Sequence, residues 1–202
     1  MCSSDLTPYG IATDVARQDR FWIKSQPYSL LDLLANDESV DQFVGGTVYQ
    51  AFLSANNYHR WHSPVDGTIV RAFVQDGTYY SEADSEGADA VEPTNSQAYM
   101  AHTAARAIIL IEADNPVIGL VAFVPVGMSD VSTCVIHPSI TSGYCVAKGE
   151  ELGYFQFGGS THCLVFRPGV IADFALAAIP QPHDPNAPLM LVNSKLAAAK
   201  RP

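Results

Sequence analysis

Tyr154-Phe155-Gln156-Phe157-Gly158-Gly159-Ser160-Thr161-His162-Cys163 is the stretch around which the rest of the sequence is organised. The apolar runs on its two sides, Leu152 to Phe157 and Cys163 to Phe166, read as two buried strands. Two glycines directly ahead of a serine and a threonine ask for a backbone that only glycine tolerates, with a hydroxyl displayed at the tight point. The nucleophile elbow of α/β-hydrolases is excluded, because that motif needs G-x-S-x-G and His162 stands where the last glycine should be. Taken alone, the pattern reads first as a glycine-rich hairpin or bulge in a β protein.

A second unusual stretch lies a hundred residues upstream: Asn57-Tyr58-His59-Arg60-Trp61-His62-Ser63-Pro64-Val65-Asp66-Gly67. Two histidines, an arginine and two aromatics precede a Pro-x-Asp-Gly turn. In a strand His59 and His62 face opposite sides; in a loop or helical turn they can converge. The H-x-x-H spacing suggests a metal, but no four-ligand set accompanies it, and Cys134 and His137 sit on a separate segment, so no metal is expected. Without Ser160, two surface histidines beside a turn would be the better reading.

The intervening and flanking chain reads as mainly β. Phe21 to Lys24, Thr47 to Leu53, Thr68 to Val74, Ala107 to Glu112, Ile118 to Val126 and Val131 to His137 are strand candidates, separated by Gly, Asn, Asp and Pro breaks. Ser29 is placed to cap a short helix over Leu30 to Ala35. Val146 to Gly153 has the Gly-punctuated hairpin pattern of barrel–sandwich domains, and Leu189 to Val192 reads as an edge strand. Residues 75–98 form a long acidic loop, a solvated insertion or a lid. The expected fold is mainly β (α+β) with a few short helices around a barrel–sandwich-like β core.

Composition excludes several classes. The 202 residues are 48% hydrophobic and 16% charged, which describes one folded domain with a substantial core. A net charge of −10 argues against nucleic acid and gives no help in docking to anionic lipid. Cys2, Cys134, Cys145 and Cys163 show no C-x-x-C spacing and read as free thiols of a reducing, cytoplasmic setting. No apolar run reaches membrane-spanning length, and Met1 to Leu6 lacks a signal-peptide layout. Those six residues resemble an adventitious leader, so a truncated N-terminus is expected.

Together, Tyr58-His59-Arg60-x-His62-x-Pro64 and Gly158-Gly159-Ser160-Thr161 closely resemble the phosphatidylserine decarboxylase family of pyruvoyl enzymes, over about residues 28–167. Phe52-Leu53, Ile111-Glu112-Ala113-Asp114-Asn115, Gly127-Met128 and Ser132-Thr133-Cys134 resemble a soluble fungal-type branch that includes an L-tryptophan decarboxylase. The chemistry is coherent: decarboxylating an amino acid leaves a carbanion that no ordinary side chain stabilises, so an electron sink is needed.

The resemblance implies a single catalytic domain over 1–202 that cleaves itself between Gly159 and Ser160 into a β fragment, 1–159, and an α fragment, 160–202. Ser160 becomes the pyruvoyl group, which forms an imine with the substrate amine and releases CO2. The resemblance makes His62 the base that takes the Ser160 proton. It puts His59 near the substrate carboxylate or the protonated carbon, and Asp5 alone stands where an orienting acid belongs. The implied partner is a small molecule or phospholipid bearing a free amino acid head, phosphatidylserine by default and a soluble aromatic L-amino acid such as tryptophan in the alternative. The two fragments stay associated, and a homodimer is compatible. A non-enzymatic barrel–sandwich binding module is the reading from another class; Lys148, its only candidate carrier lysine, lacks methionine neighbours. A truncated, inactive fragment is the third.

Overall fold

A computed structural model describes residues 1–2, 5–18, 28–54, 57–79, 97–128, 133–156, 160–181 and 189–201. The strand expected at Phe21 to Lys24, the acidic segment 80–96, Phe157, Gly158 and Gly159 lie outside the described residues.

The described residues are mainly β, with a few short helices, as expected. Seven strands build one antiparallel sheet: β1 (Thr7–Thr13), β2 (Thr47–Leu53), β4 (Gly67–Gln75), β5 (Arg106–Ala113), β6 (Leu120–Gly127), β8 (Cys145–Val146) and β10 (Ser160–Phe166). Their order is β1-β2-β10-β6-β5-β4-β8. A second sheet holds β3 (Arg60–His62), β9 (Glu151–Gln156) and β7 (Thr133–Ile136), in the order β3-β9-β7. Near the C-terminus, β11 (Ile171–Phe174) and β12 (Ala197–Ala199) form a two-stranded ribbon.

The large sheet is the middle of three layers. Strand side chains alternate faces, and here both faces are apolar. Tyr49, Ile109, Ile111, Phe123, Leu164 and Phe166 share one core with Trp61, Cys134, Leu152 and Phe155 of the small sheet. The opposite face carries Val48, Ile108, Leu110, Val124, Cys163 and Val165, against which pack α1 (Leu30–Leu33), α2 (Val40–Phe43) and α3 (Gln97–Thr103). The two facing sheets give the sandwich character; the helical layer covers what would otherwise be an exposed apolar face.

Three local expectations change. Ser29 occupies the N-cap of α1 with extended backbone but makes no capping bond; its hydroxyl donates to Asp32 Oδ2 at 2.5 Å. Leu189 to Val192 contributes one bridge, Met190 to Leu6, rather than an edge strand. Strands β9 and β10 do not pair with each other: the chain leaves the small sheet after Gln156 and re-enters the large one at Ser160. The segment is therefore a crossing between sheets, not a hairpin.

Candidate active site

Ser160 is the first residue of β10, an interior strand of the large sheet. It pairs with Leu53 of β2 on one side and Gly127 of β6 on the other. The side chain is fully buried, and among the described residues its Oγ has no hydrogen-bond partner. An unpartnered buried hydroxyl costs about 1–3 kcal/mol, so a purely structural position favours alanine here.

The next residue fixes which way Ser160 faces. Thr161 Oγ1 donates to the Ala51 carbonyl at 2.9 Å and accepts from Gln50 Nε2 at 3.1 Å. Gln50 Nε2 also donates to the Gln97 carbonyl at 3.0 Å, and Gln50 Oε1 accepts from the Tyr28 hydroxyl at 2.6 Å. This buried network ties Thr161 to the helical side. By alternation Ser160 and His162 face the small sheet, where Leu164 and Phe166 of the same strand already lie.

His62 comes from the small sheet. Strand β3 pairs with β9 through Arg60–Tyr154 and Trp61–Gly153, and a register shift follows before His62–Glu151. Beyond it Ser63 and the 149–150 turn exchange backbone bonds, Ser63 N–H to Glu150 O at 2.8 Å and Gly149 N–H to Ser63 O at 2.9 Å. Gly149 has φ +88, a conformation that strains residues bearing a Cβ. Its carbonyl lies 2.9 Å from His62 Nδ1. A carbonyl only accepts, so Nδ1 carries the proton and Nε2 is the acceptor nitrogen. Nε2 takes the Tyr58 hydroxyl at 2.9 Å, with the two rings stacked at 5.7 Å.

Asp5 Oδ1 accepts the Val192 N–H at 2.7 Å. Its charge reaches Tyr58, whose phenol pKa is raised, first by desolvation and then by Glu151 and Asp5 acting against Arg60. Among the described residues no hydrogen bond joins Asp5 to His62, whose ring the Gly149 carbonyl holds directly. His59 donates from Nδ1 to the Asn57 carbonyl at 2.6 Å and presents its ring edge-on to Phe155 at 6.2 Å. Outside this group, Glu151 Oε1 accepts from Arg60 and, at 2.7 Å, from His137. These partners hold the Glu151 carboxyl below its ordinary value despite burial, which raises it.

An aromatic relay joins the two halves. Trp61, buried beside His62, meets Phe155 edge-on at 4.8 Å and Phe123 edge-on at 6.3 Å. Phe123 in turn contacts His162 edge-on at 5.2 Å. Ser160 and the histidine motif thus border one apolar core, although no hydrogen bond joins Ser160 to either His59 or His62. Gly153 makes room for Trp61: a Cβ there would lie 2.8 Å from the indole ring and closer still to the Val135 carbonyl oxygen.

Three contributors escape a reading of residue types. Tyr58 and the Gly149 carbonyl define the His62 tautomer, and only the turn glycine hinted at the second. His162 enters the sequence argument merely as a residue that spoils another motif. It is fully buried with both ring nitrogens unpartnered among the described residues, and desolvation pulls its pKa down to about 3. Among those residues no three His, Cys, Asp or Glu side chains converge as a metal site, and no helix is long and apolar enough to cross a membrane.

The chain is 47% identical to Decarboxylase iboD of Amanita muscaria, over 81% of this chain and 50% of that protein. It is 40% identical to an L-tryptophan decarboxylase of Psilocybe cubensis, over 79% of this chain and 38% of that one. Phosphatidylserine decarboxylase proenzyme 3 of Schizosaccharomyces pombe is 32% identical over 77% of the chain and 15% of its own length. The chain thus spans half or less of these relatives. Its residues 4–180 match the phosphatidylserine decarboxylase family profile, and the chain belongs to that family.

Proposed function

We propose that the chain is the catalytic region of a self-cleaving, pyruvoyl-dependent decarboxylase, cut between Gly159 and Ser160 into 1–159 and 160–202. The observation that carries the reading is the Ser160 hydroxyl: buried, without a partner among the described residues, and at the first position of an interior strand. Such a residue fits a pyruvoyl group, which is small and has no hydroxyl to satisfy. Cleavage ahead of it leaves Thr161 to Phe166 paired on both sides, so six positions with β2 and six with β6 keep the fragments together.

In the proposed reaction His62 Nε2 gives up the Tyr58 hydroxyl and accepts the Ser160 proton. Oγ adds to the residue 159 carbonyl carbon, and the 159–160 C–N bond breaks as nitrogen takes the proton, leaving an ester. Loss of the Ser160 α-proton then breaks the Cβ–Oγ bond and frees the Gly159 carboxylate. The remaining enamine tautomerises, adds water and loses ammonia. Once formed, the pyruvoyl carbonyl supplies the sink for the electron pair released when a substrate carboxylate leaves as CO2. Asp5 steadies the Tyr58–His62 pair, and His59 serves the substrate carboxylate or the carbon that is reprotonated.

For substrate we favour a soluble aromatic amino acid. The support is higher identity to an L-tryptophan decarboxylase, 40%, than to a phosphatidylserine decarboxylase proenzyme, 32%. The test is CO2 release from carboxyl-labelled L-tryptophan and from phosphatidylserine vesicles, with wild type and Ser160→Ala side by side. Release from tryptophan alone, abolished in the variant, is the expected result. Release from vesicles alone transfers the reading to the lipid, and release undiminished in Ser160→Ala removes the pyruvoyl mechanism.

A further inference from the structure

We propose that Gln50 and Thr161 are positioning residues, whose buried hydrogen bonds anchor the start of β10 once the chain is cut and so hold residue 160 in the sheet. The inference rests on the self-cleavage reading above and concerns the step that follows cleavage. While the chain is whole, Ser160 is tethered from both directions. A cut ahead of it turns this position into a free strand end, and chain ends open most easily. The group that must react then sits on the least secure residue of β10.

The backbone ladder gives that residue little help. Leu53 is the last residue of β2, Gly127 the last of β6 and Ser160 the first of β10, so three neighbouring strands stop at one row. Thr161 is the next position inward. Its Oγ1 donates to the Ala51 carbonyl at 2.9 Å and accepts from Gln50 Nε2 at 3.1 Å. Both partners belong to β2, in the larger fragment, so two side-chain bonds join the fragments beside the cut. Gln50 is in turn held by the Tyr28 hydroxyl at 2.6 Å and by the Gln97 carbonyl at 3.0 Å. Gln50 and Thr161 are both fully buried. Farther along the same face, β10 carries Cys163 and Val165, which pack in the apolar core under the helices. On that face of β10 the polar anchor is confined to the position next to the cut. Apolar packing would suffice for adhesion there; a buried hydrogen-bond network instead fixes one geometry.

Hydrogen exchange read by mass spectrometry over residues 161–166 compares wild type, Thr161→Val and Thr161→Ser. Each is measured as the cut protein and, in a Ser160→Ala background, as the unbroken chain. Valine keeps the branched shape and removes the hydroxyl; serine keeps the hydroxyl. In the cut protein Thr161→Val is expected to quicken exchange about tenfold, with a much smaller change in the unbroken chain, and Thr161→Ser to match wild type. On whichever of labelled L-tryptophan and phosphatidylserine vesicles wild type turns over, CO2 release per cut chain is expected to fall by about 10–100-fold in Thr161→Val. Release undiminished in a loosened chain overturns the positioning role. Equal quickening in cut and unbroken chains marks an ordinary structural bond, which overturns the inference and leaves self-cleavage standing. If Thr161→Val stays whole, Gln50→Leu is read in its place. If both stay whole beside a wild type that is cut, the bonds act before cleavage and the inference falls. Wild type that never processes overturns both.

Discussion

Replacing Gln50 by leucine removes the hub of the buried network that orients the start of β10. Gln50 accepts from Tyr28 and donates to the Gln97 carbonyl and to Thr161. Thr161 keeps its bond to Ala51, so it is little affected. The Tyr28 hydroxyl, on a residue only 2% exposed, is left without this bond, whereas the Gln97 carbonyl opens α3 and keeps its place in the helical ladder. At about 1–3 kcal/mol for an orphaned buried group, Gln50→Leu should cost about 1–3 kcal/mol. Tyr28→Phe orphans only Gln50 Oε1, for about 1–3 kcal/mol. In the double variant neither of those two partners is left waiting for the other. The pair should therefore cost less than the sum of the singles by about 2–3 kcal/mol, the upper end of measured couplings. Urea unfolding in a Ser160→Ala background, where the chain stays whole, measures all four corners of the cycle. Additivity within about 0.5 kcal/mol would refute the Tyr28–Gln50 hydrogen bond as an energetic link of the buried network.

Acid should destabilise the fold through its two buried histidines. Desolvation lowers the pKa of His162 to about 3 and that of His102 to about 4, whereas an unfolded histidine protonates near 6.5. Between those values the unfolded chain binds more protons than the folded one, so stability falls as pH falls, by about 2 kcal/mol per histidine from pH 6.5 to 5. Urea midpoints at the two pH values check this, and His162→Phe should remove its share of the slope; an unchanged slope contradicts it. Gly153→Ala should cost about 1–3 kcal/mol or more, because the new methyl meets the Trp61 ring and the Val135 carbonyl. A thermal scan showing no loss would mean that the small sheet can shift to admit it.

Much of this architecture is legible in the chain itself, and the gaps have physical causes. Thr47 to Leu53 is a β-branched and aromatic run between turn residues, and it forms β2 with those bounds. Helices α2 and α3 are four and seven residues long, and Ser39 makes no side-chain cap bond, so local pattern carries little signal of either. Ala197–Ala199 holds no β-branched or aromatic residue that would mark a strand, and it pairs as one because β11 offers it an edge. The flanks of the glycine stretch are strands, but which sheet each joins is decided by partners far away: Leu53 and Gly127 for Ser160, Trp61 for Gly153. The site divides along the same line. Ser160 and His62 stand out by residue type and spacing. The Gly149 carbonyl that fixes the His62 tautomer lies 87 positions away and has no side chain to announce it. His162 acquires its character from burial alone, which no local pattern reports.

The most direct test of the central claim is a denatured intact mass of the purified protein beside Ser160→Ala. The account predicts two wild-type fragments divided between Gly159 and Ser160, the smaller lighter by about one ammonia than a peptide beginning with serine, and a single unbroken chain in the variant. A smaller fragment that begins with an ordinary serine would contradict it, as would a wild-type chain that stays whole.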